Sequence, residues 1–446
     1  MKKILLAILF IAFSIGVSEA KITLKPTGIR KVSADRVMID RNKPMKVAAQ
    51  IPQGLTYWKD LENSWENLSA DYAIGSAVFT YTRASGGGSY YDSTGKVYTF
   101  ATGQTNLPIL SPGYYDATGF HTGNKGLKVE ATITNRATYS GTPENAAWTK
   151  TNITADNDDA GSSSPDGVAT ANSLTASAAN GTFVQAYAIT GDPATYTVSV
   201  WLKRKTGTGV VDLGAVEDGT GKAAVTVTTE WTRHFVTATT DGDDAGKDPA
   251  FYLELESDTD AVYVYGMQLE ASPVMTSYTP NATTAVTRGA EVLTYLIANN
   301  RTAEAETIVI KFAPGGTFAN DGVERDISGT DTKNRAIFKV NTRSDVTSYP
   351  NITDSGSSVA ISNTSPINNT KLVVSSVFQH VNPYANIFYD GVSKGTETVD
   401  DYINPLWGAS FYLGSNNAGA NQGNIIIERV EIYNRPLSAS EVLNRN

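Results

Sequence analysis

The chain has 446 residues, 41% of them apolar and only 18% charged, with 38 glycines, 22 tyrosines, no cysteine and a formal net charge of -9. Its length suits about three domains, and the absence of cysteine excludes disulfides, thiolate nucleophiles and every Cys-bearing zinc or iron–sulfur site. The low charge, made up with Gly, Thr, Ser, Asn and Tyr, favours strands and turns, and an acidic chain lacks the clustered Lys and Arg that neutralise nucleic-acid phosphates.

Residues 1–20 start with Lys2 and Lys3, continue through an apolar stretch from Ile4 to Val17 and end on Ser18-Glu19-Ala20, which predicts a secretory signal peptide. That stretch is shorter than the about 20 residues needed to span a bilayer, so no membrane span is expected after cleavage. An N-terminal arm over 21–74 follows, with strand-like alternation at Lys21–Leu24 and Val37–Ile39. Within it Leu55, Trp58, Leu61, Trp65, Leu68 and Tyr72 recur at three- and four-residue intervals, which predicts one helix over 55–72.

From there the pattern is strand and turn. Thr195–Leu202, Ala223–Thr229, His234–Thr239, Phe251–Leu255 and Ala261–Leu269 are Val-, Tyr-, Phe- and Thr-rich runs between Gly, Asp and Pro clusters, as in a β-sandwich. In the first run Tyr196, Val198, Val200 and Leu202 share one face, which builds the core. Thr197, Ser199, Trp201 and Lys203 share the other, which is expected to be available. Tyr263 and Tyr265 share a face with Met267 and Leu269 by alternation, which favours burial of both tyrosines over a sugar-contacting role. After the turn-rich stretch 279–289, a second block carries strands at Thr307–Phe312, Ala336–Val340, Leu372–Phe378, Asn386–Tyr389, Ser410–Leu413 and Asn424–Tyr433, with Asp390-Gly391 closing a hairpin. Ser438 and Glu441 have the spacing of a capping box on a short C-terminal helix.

Several phrases carry a resemblance. Phe79-Thr80-Tyr81-Thr82-Arg83-Ala84-Ser85, Tyr91-Asp92-Ser93-Thr94-Gly95-Lys96-Val97, Gly126-Leu127-Lys128-Val129-Glu130 and Thr134-Asn135 occur in the order seen in tailed-bacteriophage and prophage virion-associated proteins. Asn145–Lys150, Tyr196–Lys203, Trp231-Thr232-Arg233, Tyr265–Glu270 and Thr276–Pro280 continue in the order of a carbohydrate-binding-module-like jelly roll. Phe388-Tyr389-Asp390-Gly391, Phe411–Ser415 and Val430–Ser438 resemble a concanavalin A-like or laminin-G-like lectin domain. The resemblance covers residues 75–446 and implies an all-β protein of two tandem β-sandwiches after the signal peptide and the one-helix arm. A connecting β region would occupy 75–135, the jelly roll 136–284 and the lectin-like sandwich 290–446.

The function expected is non-enzymatic binding of cell-surface or extracellular polysaccharide by an exported or virion protein, with other virion or surface proteins as further partners and a homo-oligomer as a possible assembly. A secreted adhesin, a purely structural component and a polysaccharide depolymerase are the alternatives. Sugar rings stack on aromatic faces, so Trp201, Tyr384, Tyr402 and Trp407 are candidate platforms, and core packing is the competing reading for Trp201 as for Trp148 and Trp231. Asp156, Asp158 and Asp159, and Asp241 with Asp243, are loop carboxylates able to hold a structural Ca2+ or to stand solvated. No catalytic residue is assigned: His121, His234 and His380 stand in unremarkable contexts. Glu254 and Glu256 lie in the first sandwich, where glucanase chemistry is not expected.

Overall fold

The computed structural model describes residues 29–33, 36–39, 55–60, 72–73, 79–100, 104–106, 108–111, 113–116, 119–122, 126–189, 194–240, 247–296, 300, 305–314, 325–329, 336–340, 346–350, 361–363, 372–379, 384–398, 410–415 and 422–445. The expected signal peptide at 1–20 lies outside them. The chain divides into Met1–Leu55 and Thr56–Asn446. Described in the first is a hairpin, Ile29–Ser33 antiparallel to Arg36–Ile39.

Among the described residues every element is a strand except a helix at Ala439–Leu443, α1. The capping box forms as expected: Ser438 Oγ accepts from the Glu441 amide and Glu441 Oε2 accepts from the Ser438 amide at 2.9 Å. The Asp390-Gly391 hairpin also forms, both residues taking positive φ (48° and 77°) between Tyr384–Tyr389 and Val392–Thr398.

The helix expected over 55–72 is not what Leu55–Asp60 forms. That segment is a strand, pairing Tyr57 with Ala73 and Trp58 with Tyr72, and 61–71 lie outside the described residues. Aromatic residues favour a pleated ribbon once a partner strand supplies the hydrogen bonds, and periodicity within one segment cannot register that partner.

The jelly-roll region forms one sandwich of ten strands: β1 (Thr149–Thr151), β2 (Ile153–Asp159), β3 (Ala171–Ala176), β4 (Gly181–Ala186), β5 (Thr195–Thr206), β6 (Val211–Val216), β7 (Ala223–Val225), β8 (Thr232–Thr239), β9 (Pro249–Leu255) and β10 (Ala261–Glu270). One sheet has the order β1-β4-β9-β6-β7 and the other β2-β3-β10-β5-β8. Between them pack Val198, Val200 and Leu202 from β5, Leu213 from β6, Phe251 and Leu253 from β9 and Phe183 from β4. Trp148 closes one end, stacked on Phe183 with ring centroids 4.4 Å apart, so the packing reading holds for it.

A bulge in β10 corrects the phase expected there. Ser199 pairs with Gln268 but Trp201 pairs with Tyr265, leaving one extra residue in β10. Gly266 takes φ +67°, and a Cβ at that position would sit 2.9 Å from the Trp201 ring. Because of this shift Val262, Val264, Met267 and Leu269 all face the core, while Tyr265 packs on the opposite face with Trp201. A strict period of two cannot carry a strand across such an insertion.

His234 in β8 pairs with the core-facing Val200 and is 1% exposed. Burial lowers its pKa to about 4 from the usual 6.5. The unfolded chain therefore takes up a proton between pH 6.5 and pH 4 that the folded chain refuses, so stability is full above 6.5 and declines as pH falls to 4. Urea unfolding is expected to show a loss of about 3 kcal/mol across that window that the variant His234→Gln does not show.

The second sandwich is not confined to 290–446. Its nine-stranded sheet includes, in order, 392–398, 384–389, 372–379, 305–314, 425–433, 126–129 and 109–111, with Leu55–Asp60 also on 425–433. Its seven-stranded sheet runs 361–363, 346–350, 336–340, 325–329, 410–413, 292–296 and 79–82. Leu127 pairs with Ile427, Leu293 pairs with Tyr81, and Val129 lies directly on Gly414. The region read as a connector thus supplies strands to the C-terminal sandwich, and the ten-stranded sandwich is inserted between 129 and 292. The chain leaves and returns through one antiparallel pair, Ile133–Asn135 on Val286–Arg288.

Candidate functional site

Tyr91, Val97 and Phe120, from described residues between Arg83 and His121, cover the face of β5 that the alternation left available. A hairpin there pairs Ser89–Tyr91 with Val97–Thr99. The tip is an Asp92 turn: Asp92 Oδ1 accepts from the Thr94 amide at 2.8 Å, from Thr94 Oγ1 at 2.6 Å and from the Lys96 amide at 3.1 Å. The Thr94 hydroxyl bond leads the causes that hold Asp92 below the usual carboxylate range.

Alternation then gives the hairpin two aromatic sides. Inward, Tyr91 and Val97 pack with Trp201 and Tyr278, flanked by Phe120, Trp231 and Tyr265. Trp201 meets Tyr265 edge-on at 5.7 Å and Tyr278 at 6.0 Å, carries the Arg233 guanidinium at 4.4 Å, and is 0% exposed. As a sugar platform Trp201 is therefore corrected: its ring faces the predicted side of the sheet, but another part of the chain lies on it. Thr197 and Ser199 are likewise fully buried.

Outward, Tyr90 and Tyr98 stack with centroids 5.2 Å apart and planes 16° apart, and Phe100 extends the shelf 5.0 Å from Tyr90. Lys96 Nζ stands 5.1 Å from the Tyr98 ring centre, and the Arg83 guanidinium 4.5 Å from that of Phe100. Tyr98, at 36%, is the exposed aromatic side chain among the described residues. A second aromatic unit follows on the same sheet face, where Lys203 pairs in register with Tyr263 of β10 and Trp231 directly precedes β8. The Trp231 and Tyr263 rings are 6.4 Å apart, and Trp231 Nε1 donates to the Ser163 carbonyl at 2.9 Å. The sequence signal for the shelf is the pair of aromatic runs Ser89-Tyr90-Tyr91 and Val97-Tyr98-Thr99-Phe100 on either side of the Asp92–Gly95 turn.

Of the other candidate platforms, Tyr384 begins the strand Tyr384–Tyr389, and Tyr402 and Trp407 lie outside the described residues. Asp241 and Asp243 also lie outside them. The remaining acidic candidates do not gather: among the described residues no group of three or more Asp, Glu or His side chains surrounds one point. Asp156 accepts from the Asp158 amide at 3.0 Å, and Asp158 is solvent-facing. Asp159 pairs with Lys205 and accepts from Ser173 Oγ at 2.7 Å. These bonds outweigh its burial and hold it below the usual range. A cation-binding loop does exist nearby, but its cation is a lysine: Lys150 Nζ donates to the carbonyls of Pro143, Glu144, Asn145 and Trp148 at 3.0–3.3 Å.

On the opposite sheet Asp212 and Glu254 pair across β6 and β9, and Lys222 Nζ bridges them at 2.9 and 2.7 Å. Burial would raise Glu254, but Lys222 and the Tyr252 hydroxyl, 2.5 Å away, outweigh it and hold its pKa down. Tyr252 is pushed up to about 12 by burial and by Glu254. This carboxylate is held as an anion.

No protein-family model matches the chain, and no curated protein matches it. Among solved structures it is similar to the receptor binding domain of botulinum neurotoxin C/D mosaic serotype, at 12% identity and TM-score 0.31, over 35% of this chain and 40% of that one. The botulinum neurotoxin type G receptor binding domain aligns at 18% identity and TM-score 0.28, over 34% and 39%. The binding domain of botulinum neurotoxin DC in complex with rat synaptotagmin II aligns at 10% identity and TM-score 0.30, over 35% and 39%. The chain thus spans about two fifths of the length of these proteins, and overlaps this small assign no function.

Proposed function

We propose that the protein is a non-catalytic polysaccharide-binding protein of the cell exterior or of a virion, in keeping with the phage-appendage resemblance of its sequence. The observation that carries the reading is the Tyr90–Tyr98–Phe100 shelf. Three rings held on a rigid hairpin, with the Tyr98 face open to solvent and its hydroxyl 3.4 Å from Asp92 Oδ2, offer what a sugar needs: an apolar surface for its C–H face and polar groups at the rim. The ordering is done by the fold, so little conformational entropy is lost when a sugar docks. Two sandwiches in one chain, or several chains together, would add avidity to a weak site.

The depolymerase alternative finds less support. Glycoside cleavage needs a carboxyl with a raised pKa to protonate the leaving oxygen, and Glu254, beside its partner Asp212, is held in the opposite direction. Glu270 and Glu291 are raised by burial, but both are 0% exposed and out of reach of a substrate.

Tyr98→Ala is expected to weaken polysaccharide binding about tenfold, the loss of one aromatic contact of about 1.4 kcal/mol, with a small fall in melting temperature from the lost Tyr90 stack and Asp92 contact. Affinity measured on a panel of bacterial surface polysaccharides checks this, and unchanged binding by the variant would remove the shelf from the function.

A further inference from the structure

The shelf and the second aromatic unit border the same loop, Gly161–Val168. The Val97 amide donates to the Pro165 carbonyl at 2.9 Å, Lys96 lies over Gly167, and Trp231 Nε1 donates to the Ser163 carbonyl at 2.9 Å. Each unit also carries an ammonium apart from Lys205, which lies 5.7 Å from the Tyr263 ring centre and is paired with Asp159. Lys96 stands over Tyr98, and Lys203 pairs in register with Tyr263, its Nζ donating to Ser162 Oγ at 3.2 Å, one residue before the carbonyl that accepts from the Trp231 indole. Among the described residues no carboxylate pairs with either ammonium.

Three carboxylates near these lysines are held by other donors. Asp92 is held by its own turn, Asp166 accepts from Ser164 Oγ and from the Val168 amide, and Asp159 is paired with Lys205. In a chain of net charge -9, Lys96 and Lys203 are two ammoniums set beside aromatic faces and held by no carboxylate of the described residues. Repulsion from the distant acidic surface is screened beyond about 8 Å at physiological salt, which leaves direct contact with the two ammoniums as the attraction open to an anionic group.

Resting on the polysaccharide-binding reading above, we infer that this surface takes an acidic polysaccharide, one with a uronic acid in its repeat. One sugar stacks on Tyr98 and another on Trp231, and their ring carboxylates are received by Lys96 and Lys203. A carboxylated pyranose carries its charge at the rim of the ring, so an ammonium over or beside an aromatic face meets it while the C–H face stacks.

The test uses the full exported chain against alginate, hyaluronan and polygalacturonate, with dextran and galactan as neutral counterparts, at about 50 and 300 mM NaCl. At least one uronate polymer is expected to bind about tenfold tighter than either neutral polymer, with affinity falling as salt rises. K96Q/K203Q should lose about fivefold to tenfold on that polymer at low salt and nothing on a neutral one. Tyr98→Ala should weaken every polymer that binds. If neutral polymers bind as tightly, or the lysine variant binds the uronate unchanged, the acidic-ligand inference falls and the polysaccharide reading stands. If no polymer binds, both fall.

Discussion

Expressed alone, residues 290–446 are expected to fail to fold, whereas 131–289 should fold and unfold cooperatively without the rest. The C-terminal fragment lacks 126–129 and 109–111, which cover one side of the strand Ile425–Tyr433, and 79–82, which edges the strand Val292–Leu296. Ile109, Leu127 and Val129 are at most 1% exposed. Losing their burial, at roughly 1.5–3 kcal/mol each, removes about 5–9 kcal/mol, as much as the whole stability of many domains, about 5–15 kcal/mol. It also uncovers the fully buried Ile425, Ile426 and Ile427 on an open strand edge, a template for aggregation. The inserted fragment keeps its core and its ten strands; it loses Tyr91, Val97 and Phe120 from the Trp201 face and, at the neck, the Glu130 and Glu291 partners of Arg288, which lowers its stability without removing its core. Circular dichroism and thermal melting of the two fragments check this. A soluble, cooperatively melting 290–446 would overturn the nested topology, and red-shifted tryptophan emission from 131–289 relative to the full chain would report the uncovered Trp201.

The all-β class and most strands were legible because Val, Tyr, Phe and Thr runs between Gly and Asp turns encode a local preference. The C-terminal cap and the Asp390-Gly391 turn were legible for the same reason, since each depends on residues three or fewer positions apart. Nesting was not, because it depends on Leu127 meeting Ile427, 300 positions away, and nothing in either segment names the other. The fate of Trp201 followed from the same blindness. Alternation placed its ring on the correct face of β5, but whether that face meets water or Tyr91 is decided by a hairpin that precedes it by a hundred residues. The Lys150 loop was hidden in another way, since its acceptors are backbone carbonyls that every sequence has.

Arg288→Met is expected to cost about 3–5 kcal/mol, the loss typical of breaking a buried ion network from one side. The neck between the two sandwiches is built on this residue, which is 0% exposed. Arg288 Nη1 donates to both Glu291 oxygens at 2.7 and 2.8 Å, its Nη2 donates to the Ala131 carbonyl at 2.8 Å and lies 3.4 Å from Glu130, and Lys128 bonds Glu130 at 2.7 Å. Burial alone would raise Glu130, yet Lys128 and Arg288 together pull it down to about 2. Burial, helped by the Glu130 charge, pushes Glu291 up even against Arg288; Arg288 is the cation common to both carboxylates, with Lys128 also on Glu130 and Arg83 3.7 Å from Glu291. The backbone is shaped to admit it: Gly88, at φ +94°, lies where a Cβ would come within 2.8 Å of Arg288 Cδ. Arg288→Lys restores the charge but not the fork that reaches Glu291 and Ala131 at once, so it should recover only part of the loss. Because the damage lies at the neck and both cores stay intact, calorimetry of the methionine variant is expected to split the unfolding of Thr56–Asn446 into two transitions. A single transition at the unchanged temperature would show that the neck network contributes nothing to holding the two sandwiches as one cooperative body.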